Sequence, residues 1–204
     1  NCLKKHKIEI ISSGGTYRTI KKLKFDCTEV SKFTKSPEIL DGRVKTLHPK
    51  IHAGILNKRK SKKHIKELKK NEFVNIDLII VNFYPFENSI RNTKNHHKIL
   101  ENIDIGGPTM ARAAAKNYSD VTVITSISQY DELIKQLNKY SGSTSERFRQ
   151  KMSKDAFSET AYYDGLISNY FNNISNDYFP QKKILTAKKI NRLRYGENPH
   201  QNSA

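Results

Sequence analysis

The sequence predicts an α/β protein built on a doubly wound parallel sheet. Short apolar runs alternate with helical segments along the chain, which is the pattern of a layered α/β fold. The run Asp77–Phe83 is continuously apolar at its centre, as expected for a parallel strand covered by helices on both faces. Polar turns follow several strand ends, where sheets of this kind bind their ligands.

The first half of the chain contains two predicted strands and two predicted helices. Apolar runs bounded by turn residues indicate the strands, and charged segments with apolar residues on one face indicate the helices. In chain order, the expected elements are a strand at 8–11, a helix at 16–23, a strand at 27–30, a functional loop at 41–56 and a charged helix at 61–70.

The second half contains the central strand and the longest predicted helix. Pro108 suits the first turn of a helix, and the alanines that follow it permit close packing. The segment Ser143–Glu146 has the form of a capping box. The expected elements are a strand at 77–83, a loop plus helix at 88–98, a helix at 109–116, a strand at 121–125, a helix at 130–140, a helix from 146 to about 171 and a loop-like tail at 179–204.

Composition limits the class of protein. The 204 residues, of which 36% are hydrophobic, suffice for one large or two small domains with a buried core. No run approaches the roughly 20 apolar residues that span a bilayer, so no membrane partner is expected. Cys2 and Cys27 are too few for a disulfide scaffold. Free thiols are typical of a reducing compartment, and the expected location is therefore cytoplasmic.

The strong positive charge has two interpretations. Lys and Arg number 37 against 20 Asp and Glu, a formal net charge of +17. Such an excess can indicate a polyanionic partner, or it can reflect a genome whose codons favour lysine. The basic residues are scattered and do not form one stripe interleaved with aromatic residues, so no nucleic-acid partner is expected.

A small hydroxyl-rich turn follows the first predicted strand. It consists of Ser12, Ser13, Gly14, Gly15 and Thr16. Glycines let backbone N–H groups approach an anion, and the start of the following helix adds a favourable partial charge. The turn is therefore a candidate phosphate site, although a plain tight turn with a serine or threonine helix cap would have the same sequence.

A basic loop supplies a second candidate. Arg43, Lys45 and Thr46 are three hydrogen-bond donors within four residues, and in an extended stretch the two cations point to one side. This arrangement suits a phosphate or a developing oxyanion, but a solvated basic loop is the alternative. His48 and His52 have the spacing of metal ligands on a helix, yet Pro49 separates them and no third ligand is near, so no metal is expected.

Two further pairs could carry proton chemistry. Asn82 and Tyr84 share one side of an extended strand end and could hydrogen-bond a heterocycle, or they could belong to an aromatic lid on the core. Asp104 precedes a Gly-Gly-Pro turn, and Lys116 ends the alanine-rich helix after it. A carboxylate and an ammonium can prepare each other for proton transfer, or they can form a simple ion pair.

Five segments together carry a family resemblance. They are SSGGT at 12–16, PEILDGRVKTLHPKIHAGIL at 37–56, VNFYPF at 81–86, ENIDIGGPTMARAAAKN at 101–117 and LRYGENPHQ at 193–201. In this order they resemble the N-terminal half of the bifunctional purine biosynthesis proteins, which carry phosphoribosylaminoimidazolecarboxamide formyltransferase and IMP cyclohydrolase. The family has threonine where this chain has Ser13, a change that keeps the hydroxyl.

The resemblance implies a fold, a reaction and partners. Residues 1–185 resemble the IMP cyclohydrolase domain, methylglyoxal-synthase-like and here without its first strand and loop, and residues 186–204 resemble a linker and the start of a truncated formyltransferase domain. The implied reaction closes 5-formamidoimidazole-4-carboxamide ribonucleotide to IMP with loss of water, the last step of purine synthesis. A small-molecule nucleotide substrate and a homodimer are implied. No cofactor is expected for this step, since 10-formyltetrahydrofolate would serve the formyltransferase domain, whose activity is not expected here.

The resemblance also assigns roles to residues. The implied catalytic group consists of Lys45, Tyr84, Asp104 and Lys116, with Lys116 as the leading acid or base. The implied nucleotide and phosphate contacts are Ser12, Ser13, Gly14, Gly15, Thr16, Arg43, Thr46, Asn82 and Gly106. The alternative is a non-catalytic nucleotide- or phosphate-binding remnant of the same fold.

Overall fold

The computed structural model describes residues 1–191 and residue 193. Helices and parallel strands alternate, as the sequence predicts. The first half contains α1 (Cys2–Lys5), β1 (Ile11–Ser12), α2 (Gly14–Lys22), β2 (Thr28–Glu29), α3 (Val30–Thr34), a 3-10 turn (Leu40–Gly42), α4 (Pro49–Leu56) and α5 (Lys62–Lys70). The second half contains β3 (Leu78–Ile80), α6 (Phe86–Asn92), α7 (His96–Glu101), α8 (Gly106–Lys116), β4 (Thr122–Ile124), a 3-10 turn (Ile127–Gln129), α9 (Tyr130–Lys139) and α10 (Glu146–Ile174).

The strands form two parallel pairs. Strand β1 pairs with β2, placing Ile11 opposite Thr28, and β3 pairs with β4, placing Ile79 opposite Val123. The predicted α/β class with parallel strands is confirmed. Within the described residues, however, the hydrogen-bonded ladders are two separate pairs and not one continuous sheet.

The predicted central strand is shorter and less covered than its apolar sequence suggests. Only 78–80 form β3, although the N–H of Val81 still donates to the C=O of Ile124 at 2.9 Å. Ile79 is buried, whereas Ile80 is 41% exposed. The run is therefore covered mainly on one face in the described part of the chain.

One hydrophobic core includes residues of both strand pairs, and α8 and α10 pack against β4. Strand β4 is buried along its whole length, and the alanines of α8 lie against it and against α10. Phe148 and Met152 share the buried face of α10, as their spacing predicts. The side chain of Ser153 donates to the C=O of Ala115 at 2.7 Å, which ties α10 to the end of α8. Helix α8, whose N-terminal end borders the predicted site, is thereby fixed to the core.

The structure corrects several predicted boundaries. The interval 41–56 is only partly a loop, because α4 begins at Pro49 with His48 as its N-cap. Proline has no N–H to lose and its φ suits the first helical position, so the sequence did contain the signal for this helix. The interval 88–98 contains parts of two helices, α6 and α7. The long helix is capped by Ser145, whose Oγ accepts from the N–H of Phe148, so the predicted capping box was wrong.

The tail after α10 contains no helix or strand up to residue 191. It still packs on α10, because a Cβ at Gly165 would overlap the side chain of Thr186 and lie 3.0 Å from that of Ile184. The predicted motif at 193–201 lies, apart from Leu193, outside the described residues. In the part of the chain that the structure describes, no helix has the length and apolar character needed to cross a membrane.

Candidate active site

Lys45 lies at the centre of a group formed by Gly14, Glu38, Gly42 and Lys45, called here the lysine cluster. Its Nζ lies 3.2 Å from Oε2 of Glu38. A Cβ on Gly14 would lie 3.4 Å from this nitrogen, and a Cβ on Gly42 would lie 2.8 Å from it. Both glycines have a positive φ, +54° and +83°, which glycine adopts without strain, and the absence of a Cβ at each leaves space for the ammonium group. The turn after β1 and the basic loop therefore meet at Lys45.

The turn after β1 is open toward solvent. Ser12 ends β1, Ser13 is the N-cap of α2, and Gly14 begins that helix, followed by Gly15 and Thr16. The Ser13 side chain makes no capping hydrogen bond, and no atom lies within 4 Å of a Cβ built on Gly15. The first N–H groups of α2 therefore face accessible space beside a lysine, an arrangement that suits an anion.

Thr46 connects the basic loop to the turn before α8. A Cβ on Gly106, the first residue of α8, would lie 2.6 Å from the Thr46 hydroxyl oxygen. Only glycine permits this approach without moving the threonine. The two segments with the longest family resemblance thus lie directly against each other.

Asp104 is held by backbone hydrogen bonds in a second group, formed by Tyr84, Asp104, Gly107 and Tyr163 and called here the aspartate cluster. Its Oδ1 accepts from the N–H of Gly107 at 2.9 Å, and its own N–H donates to the Tyr163 hydroxyl at 2.8 Å. The N–H of Tyr84 also hydrogen-bonds the carboxylate. A Cβ on Gly107 would overlap the Asp104 carboxylate, so this position requires glycine.

Burial raises the pKa of the Asp104 carboxyl above its usual range, against the opposing effect of the hydrogen bonds from Gly107 and Tyr84. Burial also raises the pKa of the Tyr163 hydroxyl. A carboxylate made more basic by desolvation is a better proton acceptor than an ordinary aspartate. Asp104, the acidic residue that the sequence analysis proposed for proton transfer, has this environment.

The strand end after β3 presents two polar side chains as predicted. Asn82 and Tyr84 are exposed, and Phe83 between them is directed toward the core. The Asn82 amide donates to the hydroxyl of Tyr130 in α9 at 3.3 Å. The Tyr84 side chain is 53% exposed next to the Asp104 turn. The strand end therefore borders the aspartate cluster.

Arg43 and Lys45 do not point to a shared position. Arg43 forms an ion pair with Glu101 at the end of α7, whereas Lys45 pairs with Glu38. The expected alignment fails because the chain is not extended at Arg43, which has the right-handed helical φ and ψ of −64° and −28°. Arg43 is exposed and lies at the rim of the site.

Lys116 is not part of either cluster. It is exposed at the last residue of α8, whereas Asp104 precedes the first residue of that helix. Eleven helical residues span about 15 Å, so the predicted pairing of Asp104 with Lys116 is absent from this structure.

The two histidines considered as metal ligands have other surroundings. Nδ1 of His48 accepts from the N–H of Lys50 at 3.1 Å, which caps α4. Burial lowers the pKa of His52. Across residues 1–191 and 193, no group of three or more His, Cys, Asp or Glu side chains is arranged to hold a metal ion.

Four cluster residues were not among the predicted site residues: Glu38, Gly42, Gly107 and Tyr163. Tyr163 is the one farthest along the chain from the predicted segments. It lies 59 residues from Asp104, on the buried face of α10. The helical spacing from Met152 through Ala156 and Thr160 could have placed Tyr163 in the core. No local signal shows that its hydroxyl reaches the Asp104 turn.

Fold and site together define an α/β protein with a candidate polar site after the ends of its parallel strands. The model of the MGS-like domain matches residues 1–109, and the model of the AICARFT/IMPCHase bienzyme matches residues 114–204. The chain belongs to the MGS-like domain family. The family resemblance predicted from the five sequence segments is confirmed by these matches.

Relatives with the same printed name cover nearly the whole chain. The bifunctional purine biosynthesis protein PurH of Clostridioides difficile is 48% identical over 98% of this chain and 39% of its own length. The protein of that name from Oceanobacillus iheyensis is 43% identical over 99% of this chain and 39% of its own length. The chain thus spans about two fifths of these relatives. A solved structure titled "Crystal structure of ForH" superposes with a TM-score of 0.74 at 27% identity, covering 84% of this chain and 88% of that one.

Proposed function

We propose that this chain is the cyclohydrolase part of a purine biosynthesis enzyme and closes 5-formamidoimidazole-4-carboxamide ribonucleotide to IMP. The observation that carries the proposal is the convergence of three segments. The turn after β1 meets the basic loop at Lys45, and the basic loop meets the turn before α8 through the contact between Thr46 and Gly106. These are the segments with which the chain resembles proteins named for purine biosynthesis.

The reaction forms one bond and breaks another. The carboxamide nitrogen attacks the formyl carbon and gives up one proton, and the formyl oxygen becomes a tetrahedral alkoxide. The C–O bond then breaks: the oxygen takes up that proton and the proton of the formamido nitrogen and leaves as water, while the electron pair of the formamido nitrogen forms the C=N bond of the new ring. The step therefore needs a group that removes or returns protons and a cation or N–H donors near the developing negative charge.

The two clusters supply groups for these tasks. Asp104, with its raised pKa, accepts the proton from the nitrogen and returns it to the leaving oxygen. Lys45 neutralises either the phosphate or the developing alkoxide, and the open N–H groups at the start of α2 hold the phosphate. The exposed Tyr84 hydroxyl and the Gly106 backbone contact the base. We propose that this chemistry requires no cofactor, because every step is a proton transfer or a charge neutralisation.

The test measures ring closure by ultraviolet absorbance and IMP binding on the same sample. Lys45→Ala is compared with Lys66→Ala, which removes the same charge from an exposed position on α5. We expect about a hundredfold loss of turnover for Lys45→Ala and none for Lys66→Ala. Turnover that is unchanged in a folded Lys45→Ala protein contradicts the proposal. Preincubation with a chelator should leave the wild-type rate unchanged.

A second candidate function is a nucleotide-binding domain without catalysis. The separation of Lys116 from Asp104 favours it, since the resemblance makes Lys116 the leading acid or base. IMP binding without ring closure would establish this alternative. The homodimer implied by the resemblance is also a proposal, and sedimentation equilibrium of the same sample tests it.

A further inference from the structure

Tyr163 is a buried titratable residue to which the proposed reaction assigns no task. It is 5% exposed, and its hydroxyl has a partner on each side. It accepts from the N–H of Asp104 at 2.8 Å and donates to the C=O of Asn102 at 3.1 Å. One side-chain oxygen thus connects two backbone positions of the segment that leads into α8.

The ring of Tyr163 contacts the other side of the aspartate cluster. It packs edge to face against Phe83, with ring centroids 5.3 Å apart and an interplanar angle of 64°. Phe83 lies between Asn82 and Tyr84, the two exposed polar residues of the strand end. The same side chain therefore touches both the Asp104 turn and the strand that presents Tyr84.

Helix α10 gives Tyr163 a fixed position. The helix has 29 residues and packs against α8 and β4, with Met152 and Ala156 each 1% exposed on its inner face. Tyr163 is two helical turns beyond Ala156 on this face, next to the buried Phe86. Its ring packs against both Phe83 and Phe86, which limits movement of the hydroxyl relative to this helix.

We propose that Tyr163 is a positioning residue that holds the Asp104 carboxylate and the Tyr84 strand end in the geometry needed for ring closure. The inference rests on the proposed function for its kinetic consequence. Misplacement of a proton-transfer group by a fraction of an ångström affects the transition state more than ground-state binding. Loss of the hydroxyl should therefore reduce kcat more than it changes KM.

The experiment compares Tyr163→Phe with Tyr162→Phe in the 204-residue chain. Each variant removes one hydroxyl and keeps the ring, and the Tyr162 hydroxyl faces Glu87, outside both clusters, at 3.5 Å. We expect about a tenfold fall in kcat for Tyr163→Phe with KM and the Kd for IMP within about twofold of wild type. Tyr162→Phe should match wild type. An unchanged kcat in folded Tyr163→Phe, or an equal loss in both variants, overturns the inference.

Amide hydrogen exchange tests the same contact without requiring a folded variant or turnover. The Asp104 N–H of the wild-type chain should exchange slowly, because it donates to a buried hydroxyl. Exchange at the rate of a free amide overturns the inference even if ring closure is observed. If the wild-type chain binds IMP but does not catalyse ring closure, the proposed function fails. Slow exchange of the Asp104 N–H would in that case still support the contact between Tyr163 and Asp104.

Discussion

The lysine cluster and the aspartate cluster are built from different kinds of interaction. In the lysine cluster, charged side chains that are about 30% exposed face each other across two glycines. In the aspartate cluster, a half-buried carboxylate is held by backbone N–H groups, and the N–H of the same residue donates to a buried tyrosine hydroxyl. A partly exposed ion pair contributes little to stability and can exchange partners, whereas a buried hydrogen-bonded group is costly to disturb.

The difference suggests a division of tasks. Lys45 can leave Glu38 for a phosphate or an alkoxide, because water and salt already weaken that ion pair. Asp104 keeps one position, which suits a group that must meet a specific proton. Variants of the lysine cluster should therefore respond to charge and salt, whereas variants of the aspartate cluster should respond to changes in packing.

The largest effect is expected from Asp104→Asn. The asparagine oxygen can still accept from the Gly107 N–H, so the turn should keep its shape, but the proton acceptor is lost. We expect turnover to fall by about 10²–10⁴-fold with IMP binding retained. The control is Asp131→Asn, at an exposed position on α9. A variant at position 104 that turns over at the wild-type rate would remove Asp104 from the mechanism.

The second prediction compares Gly107 of the aspartate cluster with Gly42 of the lysine cluster. In Gly107→Ala the new methyl group meets a carboxylate that backbone hydrogen bonds hold in place, so we expect a loss of about 1–3 kcal/mol in the free energy of unfolding. In Gly42→Ala the methyl group meets the flexible end of Lys45, which can move aside. The strain of a positive φ then remains, at about 1 kcal/mol.

Thermal unfolding and IMP titration distinguish these two variants. Gly107→Ala should mainly lower the unfolding temperature, and Gly42→Ala should mainly weaken IMP binding, because Lys45 is displaced. Equal effects of both variants on both measurements would show that the clusters do not differ in rigidity.

The third prediction concerns stability against pH. Burial raises the pKa of Asp104 in the folded chain, so the folded state holds this proton more tightly than the unfolded state does. The contribution of Asp104 to stability is therefore full below its unfolded pKa and is lost as the pH rises through the folded pKa. Asp104→Asn should reduce this fall in stability between acidic and neutral pH. Urea unfolding of both proteins across that interval measures the difference, and parallel curves would contradict it.

The sequence predicted which segments form the site better than it predicted the contacts between distant residues. Local patterns sufficed for the turn after β1, the strand end at Asn82 and the place of Pro108 in the first turn of α8, because short-range backbone preferences decide such features. The helix itself begins at Gly106 and not at the predicted residue 109. The meeting of Thr46 with Gly106 and of Asp104 with Tyr163 depends on how distant elements pack, 60 and 59 residues apart. Helix length, and not residue type, separated Lys116 from Asp104.

The smallest effect is expected from Glu38→Gln. Glu38 pairs with Lys45 in the ligand-free chain, and an incoming phosphate must compete with this carboxylate for the same ammonium. Removal of the negative charge should tighten IMP binding by up to about fivefold, the range expected for a partly exposed ion pair. The gain should shrink as salt rises, since screening already weakens the competing ion pair. Glu67→Gln, at an exposed position on α5, is the control for the change in net charge. Weaker IMP binding by Glu38→Gln would instead mean that Glu38 orients Lys45 for the ligand, and the lysine cluster would then be as preorganised as the aspartate cluster.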